Sequence, residues 1–267
     1  MKAVRWLLPV GICAVLLCTA GFSSYKIYGI LQGYSTARHT YEDIRESYVD
    51  YDASASSEKI SEGTNKDVPT ENSSLRDSSP LKIDFEDLRR NLNPEVIGWI
   101  WCEDTVINYP IAQHSDNEYY LNYSISGEQN ASGAIYLETA NFSDFRDTNN
   151  ILHGHHMGDG SMFASLDRWQ AKDYLEAHPV MYLNTPNGNY RIDIFAGFTT
   201  PANSKAYQYE FISRSDIQSW IDWVRTESVI NPDLKLSPDD RFLTLSTCAY
   251  SYEDARTVLI GRLEPVG

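Results

Sequence analysis

Cys248 closes the run Leu243-Thr244-Leu245-Ser246-Thr247-Cys248, and Arg256 stands eight residues further on. The run alternates apolar and hydroxyl side chains in β-forming residue types, which predicts a strand with one buried face. A second β-rich run, Thr257 to Ile260, begins directly after Arg256, so the stretch from Ala249 to Ala255 reads as a hairpin loop. A hairpin places Cys248 and Arg256 side by side at one strand end. A thiol next to a permanent cation is suited to nucleophilic attack on a carbonyl, with the guanidinium fork able to hold the oxyanion that forms. The nucleophile also needs a proton carrier, and Ile151-Leu152-His153-Gly154-His155-His156-Met157-Gly158-Asp159-Gly160 supplies imidazoles where a strand runs into a glycine-punctuated loop.

Competing readings exist for each of these residues. His153, His155 and His156 with Asp159 and Cys248 could in principle hold zinc, although adjacent histidines project differently from a strand end and no second cysteine is near. Arg256 could form a surface ion pair with Glu253 or Asp254, worth little in solvent. Cys102 ends the Trp-rich run Trp99-Ile100-Trp101-Cys102 and reads as a small packing residue. A disulfide between Cys102 and Cys248 is compatible with the sequence and would silence the thiol. His39, His114 and His178 have no reactive neighbours in sequence and read as surface or packing residues.

Stepping outward along the chain, a formal net charge of −15 with no basic stretch argues against nucleic acid as a partner. Trp6 to Phe22 is an uncharged, mostly apolar run after Lys2 and Arg5. It is short for a bilayer span, yet it continues into Tyr25, Ile27, Tyr28, Ile30 and Leu31. A retained anchor is preferred over a signal peptide cut after Cys18-Thr19-Ala20, with the N-terminus in the cytoplasm and the remainder outside the cell. From Tyr25 to Tyr48, apolar residues at threes and fours predict a stalk helix lying on the compact domain, with too few heptads for a dimer seam. Asp50 to Pro80 is polar and nearly devoid of large apolar residues, the composition of a flexible tether. The expected organisation is thus an anchor over residues 1–24, a stalk and tether over 25–80, and a compact domain over 81–267.

That domain is expected to open with a helix capped by Asp84 and another turn starting at Asn93-Pro94. Short β-like runs follow at Gly98–Trp101, Val106–Ile111, Gly133–Leu137, Asn149–His153, Val180–Asn184, Tyr190–Phe198, Phe242–Thr247 and Thr257–Leu263. Helices are expected at Met162–Trp169 and, after the cap candidates Ser213 and Ser215, at Ser215–Arg225. This density of short strands, with Thr185-Pro186-Asn187-Gly188-Asn189 as a hairpin turn, argues for a mainly β barrel or sandwich.

The TLSTC strand with its arginine eight positions on, together with ILHGHHMGDGSMF, resembles the sortases and within them class B. The likeness continues through DFEDLRRNLNPEVIGWI, VINYPIAQHSDNEYYLN, YLEAHPVMYLNTPNGNYRIDIFAGF and LSPDDRFLTLSTC, essentially Leu81 to Gly267. The resemblance implies an eight-stranded β-barrel with flanking helices, a nucleophile at Cys248, an oxyanion partner at Arg256 and a proton carrier at His155, with no cofactor. It further implies that Ser246, Thr247, Asn117 and Leu121 line a sorting-signal groove and that the helix from Ser215 to Arg225 shapes recognition. His153 departs from the pattern, which often has an aromatic there. The expected activity is cleavage of an NPxTN-like C-terminal signal on surface proteins and transfer to a cell-wall amine, such as a peptidoglycan precursor, at the outer face of a Gram-positive-type membrane. A hydrolytic cysteine peptidase with the same residues is the alternative, and a metal-binding surface module a more distant one.

Overall fold

The structure is a computed structural model; it describes residues 4–51 and 78–266, with side chains from residue 16 onward. The expected tether lies mostly outside the described residues, and so does the greater part of the side chains of the expected membrane run. A single helix, α1 (Val4–Tyr48), leads into strand β1 (Val49–Tyr51), which pairs with β2 (Leu81–Ile83). The two ends of the tether are thereby brought together.

Then follow α2 (Phe85–Asn91), β3 (Val96–Trp101), β4 (Asn108–Ala112), α3 (Tyr119–Asn122), β5 (Ile135–Leu137) and β6 (Asn149–His153). The remainder is a 3-10 helix over Ala164–Gln170, α4 (Lys172–Ala177), β7 (Val180–Thr185), β8 (Gly188–Pro201), a second 3-10 turn over Lys205–Tyr207, α5 (Arg214–Glu227), β9 (Arg241–Cys248) and β10 (Ala255–Val266). Eight strands close into a barrel in the order β10-β8-β7-β3-β4-β5-β6-β9.

Alternation decides which side chains fill the barrel. Leu243 and Leu245 of β9 join the main core with Val96, Ile100, Ile111, Leu152 and Leu183. Phe242 points the other way, into a second cluster where Trp220, Ile221 and Val224 of α5 cover Phe195, Phe198 and Val258. Ser246 and Cys248 share the parity of Phe242, so they emerge on that outer face. Helix α5 starts where its cap predicts, the Ser213 side chain accepting from the Asp216 N–H.

Asp84 likewise caps α2, accepting from the Asp87 N–H at 2.8 Å. Asn93 opens the expected turn, its side-chain oxygen accepting from the Glu95 N–H at 2.9 Å and its carbonyl from the Val96 N–H at 3.2 Å. Its amide is drawn into the interior, donating to the Tyr120 hydroxyl at 2.9 Å and the Ile125 carbonyl at 2.8 Å. The helix expected from Met162 forms as a 3-10 segment that starts later, because Met162 itself sits at φ 55°.

Strand β10 changes register against β8 between Ile260 and Gly261. A Cβ on Gly261 would lie 2.3 Å from Ile192 Cγ2 and 3.2 Å from the Asp193 carbonyl oxygen, so only glycine fits this bulge. Gly261→Ala is expected to destabilise the barrel by about 1–3 kcal/mol, read as a lowered midpoint in urea with an unchanged slope.

Candidate active site

Strands β9 and β10 are antiparallel neighbours, and their register sets Arg256 directly opposite Cys248. Side chains so placed stand with Cβ atoms about 5 Å apart. The connecting loop is closed by the Ala249 N–H donating to the Ala255 carbonyl at 2.9 Å, with Asp254 taking φ 58°. Cys248 is a free thiol, half-buried at the strand end, and Cys102 is free and buried elsewhere, so the two form no disulfide. The Cys102 thiol gives a weak bond to the Val180 carbonyl, and burial pushes its pKa up to about 12, which leaves it inert at neutral pH.

Arg256 donates Nη1 to the Ala255 carbonyl at 3.0 Å. Among the described residues no carboxylate lies within ion-pair distance of it, so the pair with Glu253 or Asp254 does not form. The rest of the fork remains available as a donor set beside the thiol.

The other edge of β9 brings in the histidine. β6 runs parallel to β9 with His153 opposite Ser246, and the Gly154 N–H continues the ladder by donating to the Ser246 carbonyl at 3.1 Å. Two further residues along each strand are His155 and Cys248. Gly154 permits this turn because a Cβ there would lie 2.5 Å from Ile135 Cδ1 and 2.7 Å from Phe163 Cδ2. The His155 Nε2 lies 2.7 Å from the Leu121 carbonyl oxygen. A carbonyl only accepts, so Nε2 carries the hydrogen and Nδ1 is the atom left to take or return a proton.

The neighbouring imidazoles turn elsewhere. His156 lies 3.8 Å from the Asp167 carboxylate and edge-on to Tyr250. His153 bonds Glu138 at 3.1 Å and stacks between Tyr136 and Tyr207. Hydrogen bonding by His153, followed by Asn117 and Thr139, holds the Glu138 carboxyl down to about 2 against the opposing effect of burial. His153, His155 and His156 therefore spread to three partners instead of converging.

A groove of about 340 Å³ joins these parts: Cys248, Arg256 and His155 line it with Leu121, Ser246 and Thr247. The Ser246 hydroxyl is tied to that of Tyr207 at 2.7 Å, and the Thr247 hydroxyl is buried with no hydrogen-bond partner among the described residues. Leu121 serves twice, its carbonyl fixing His155 and its half-exposed side chain facing the groove. Asn117 is not on the groove wall. It accepts from the Thr139 N–H at 2.9 Å and donates to Glu138, so it secures a residue that is on the wall.

Glu138, Tyr136 and Tyr207 also line the groove and escape a reading of motifs. Period-two spacing from β5 could have placed Tyr136 and Glu138 on one face. Tyr207, from the stretch between β8 and α5, carries no such signal.

The description of a sortase domain matches residues 102–264, more than half of the chain. Sortase B of Listeria monocytogenes is 37% identical over 185 residues, covering 68% of this chain and 75% of that protein. A solved Staphylococcus aureus sortase B–substrate complex superposes with a TM-score of 0.65 at 31% identity, over 68% of this chain and 85% of that one. Sortase B from Bacillus anthracis reaches a TM-score of 0.71 at 26% identity, over 88% of this chain and 99% of that one. Barrel, groove and relatives agree: the chain belongs to the sortase family, in its class B group, and is an enzyme of the cysteine transpeptidase kind.

Proposed function

We propose that this sortase cleaves a C-terminal sorting signal of NPxTN type after threonine and passes the protein to a cell-wall amine. The observation that carries the reading is the direct pairing of Cys248 with Arg256 at the mouth of a groove that His155 also lines. The Cys248 thiol passes its proton to His155 Nδ1, its sulfur attacks the threonine carbonyl carbon as the thiolate, and Arg256 donates to the oxygen as it gains charge. Collapse of the tetrahedral intermediate breaks the C–N bond. The leaving amine takes its proton from His155 Nδ1, with Nε2–H anchored on the Leu121 carbonyl. An acceptor amine then attacks the thioester and gives its proton back to His155. The amide bond forms, the C–S bond breaks and the thiolate is restored.

The reading places the barrel outside a Gram-positive-type membrane. In support, the first half of α1 leaves Leu16, Leu17, Phe22, Tyr25, Ile27, Tyr28, Ile30 and Leu31 exposed, a run of apolar side chains that the barrel does not cover. Among the described residues no helix is long and apolar enough to cross a membrane, and most of the expected span precedes the described side chains.

Incubation with NPxTN-type and LPxTG-type peptides, followed by mass spectrometry, tests both steps. The first set is expected to give a covalent adduct on Cys248 and, with an oligoglycine acceptor, a ligated product. Cys248→Ala is expected to give neither, and turnover of the peptide by Cys248→Ala would falsify the assignment. Release to water alone, undiminished by the amine, would identify a hydrolase instead. Arg256→Lys keeps the charge but loses the planar fork. It is expected to lower kcat by about 10²–10³ with little change in KM, measured with the same peptide.

A further inference from the structure

The second half of α1 lies on the barrel, as its apolar stripe predicts. Ala37, Tyr41 and Ile44 are buried against the barrel, and the residues around them touch the two segments that flank His155. On one side the Tyr41 hydroxyl, itself buried, donates to the Gly133 carbonyl at 2.8 Å. Gly133 is packed so closely against the imidazole that a Cβ there would lie 3.2 Å from His155 Cδ2 and 2.2 Å from the Tyr120 carbonyl oxygen, and it adopts φ +54°. The Gly133 backbone is therefore part of the seat of the His155 ring.

On the other side lies the loop that leaves His155 and returns to it. Its ends are held by the Phe163 N–H donating to the His155 carbonyl at 3.0 Å and by the pairing of His156 with Met162. Helix α1 grips this loop directly at two places and through Tyr109 of β4 at a third. Arg38 pairs with Asp159 at 3.4 Å, and the Tyr34 hydroxyl lies where a Cβ on Gly158 would be 3.3 Å away. Tyr41 also packs edge-on to Tyr109 at 5.3 Å, and the Tyr109 hydroxyl accepts from the Met162 N–H at 3.0 Å.

We infer that the docked half of α1 is a positioning element for the active-site histidine, with Tyr41 and Arg38 holding the seat and the loop of His155 from opposite sides. The inference rests on the proposed role of His155, but the contacts that carry it do not. Loosening either grip leaves the barrel and the Cys248–Arg256 pair intact while letting the imidazole wander from the thiol. The resulting loss falls on the steps that move a proton, hence on kcat, and spares the groove that binds peptide.

The test uses the full chain in detergent micelles, with Tyr41→Phe, Arg38→Ala and the pair combined. Long-range proton–nitrogen NMR reads the His155 imidazole, whose signals are assigned by their loss in His155→Gln. Wild type is expected to show one neutral tautomer, with the hydrogen on Nε2. The double variant is expected to show mixed tautomers, and kcat for thioester formation about 10- to 100-fold lower with KM within twofold. Arg38→Lys, which keeps the ion pair, is expected to stay near wild type. Unchanged His155 signals and unchanged kcat in the double variant overturn the inference, as does a lower melting temperature with kcat preserved at 25 °C. Arg38→Ala removes only a partly exposed side chain, so it remains informative should Tyr41→Phe fold poorly. Absence of any thioester in wild type sinks the catalytic reading alone, because the tautomer measurement still reports whether α1 holds the ring.

Discussion

Strand β9 is hydrogen-bonded on both edges, antiparallel to β10 and parallel to β6. A slip of one residue against either neighbour would separate the thiol from its arginine or from the histidine strand. A slip relative to the core would turn Cys248 to the opposite face. The site therefore depends on register, and register depends on what the strand buries. Leu243 and Leu245 fill the barrel, while Phe242 on the outer face fits beneath α5. Moving them by one place would set a phenylalanine in the barrel and leucines under the helix, at the cost of the packing on both sides.

Polar groups add a finer constraint than apolar packing supplies. Asn149 of β6 is fully buried. It accepts from the Thr244 hydroxyl at 2.8 Å and donates to the Ala206 and Gln208 carbonyls at 3.0 and 2.9 Å. Asn150 donates to the Asp147 and Phe242 carbonyls at 2.9 and 3.1 Å. Each bond contributes modestly when made, but a slip that left an amide unpaired would cost about 1–3 kcal/mol per group. The Asn149 bonds also pin the stretch that delivers Tyr207 to the groove. Alignment of β6 with β9 and placement of the groove wall are thus parts of one network.

The hairpin, the eight barrel strands, the Asp84 and Ser213 caps and the Cys248–Arg256 neighbourhood were legible in the sequence because each follows from local spacing and alternation. Distant partners were not. Asn93 caps its turn through Oδ1 as its type predicts, while its amide nitrogen reaches Tyr120 and Ile125, partners that no local rule names. Asn117, assigned to the groove by the resemblance, bonds Glu138 and the Thr139 N–H, partners more than twenty residues along the chain. The pairing of Val49–Tyr51 with Leu81–Ile83 joins residues on either side of a long polar stretch, so no local pattern announces it. The grip of α1 on the His155 loop is equally nonlocal, since Arg38 and Asp159 carry no mutual signal until the helix docks.

His153 illustrates how a departure from a family pattern acquires a physical reason. Glu138 brings a carboxylate into the groove that also contains Arg256, and an uncommitted anion there would compete for the guanidinium that the reacting carbonyl needs. Glu138 is instead held by His153, Asn117 and Thr139, with the imidazole clamped between two tyrosines. An aromatic ring without a nitrogen could fill the same stack but could not hold the carboxylate. The histidine at 153 and the glutamate at 138 therefore belong together. Their pairing commits the negative charge to His153, and the cation opposite Cys248 has no carboxylate partner among the described residues.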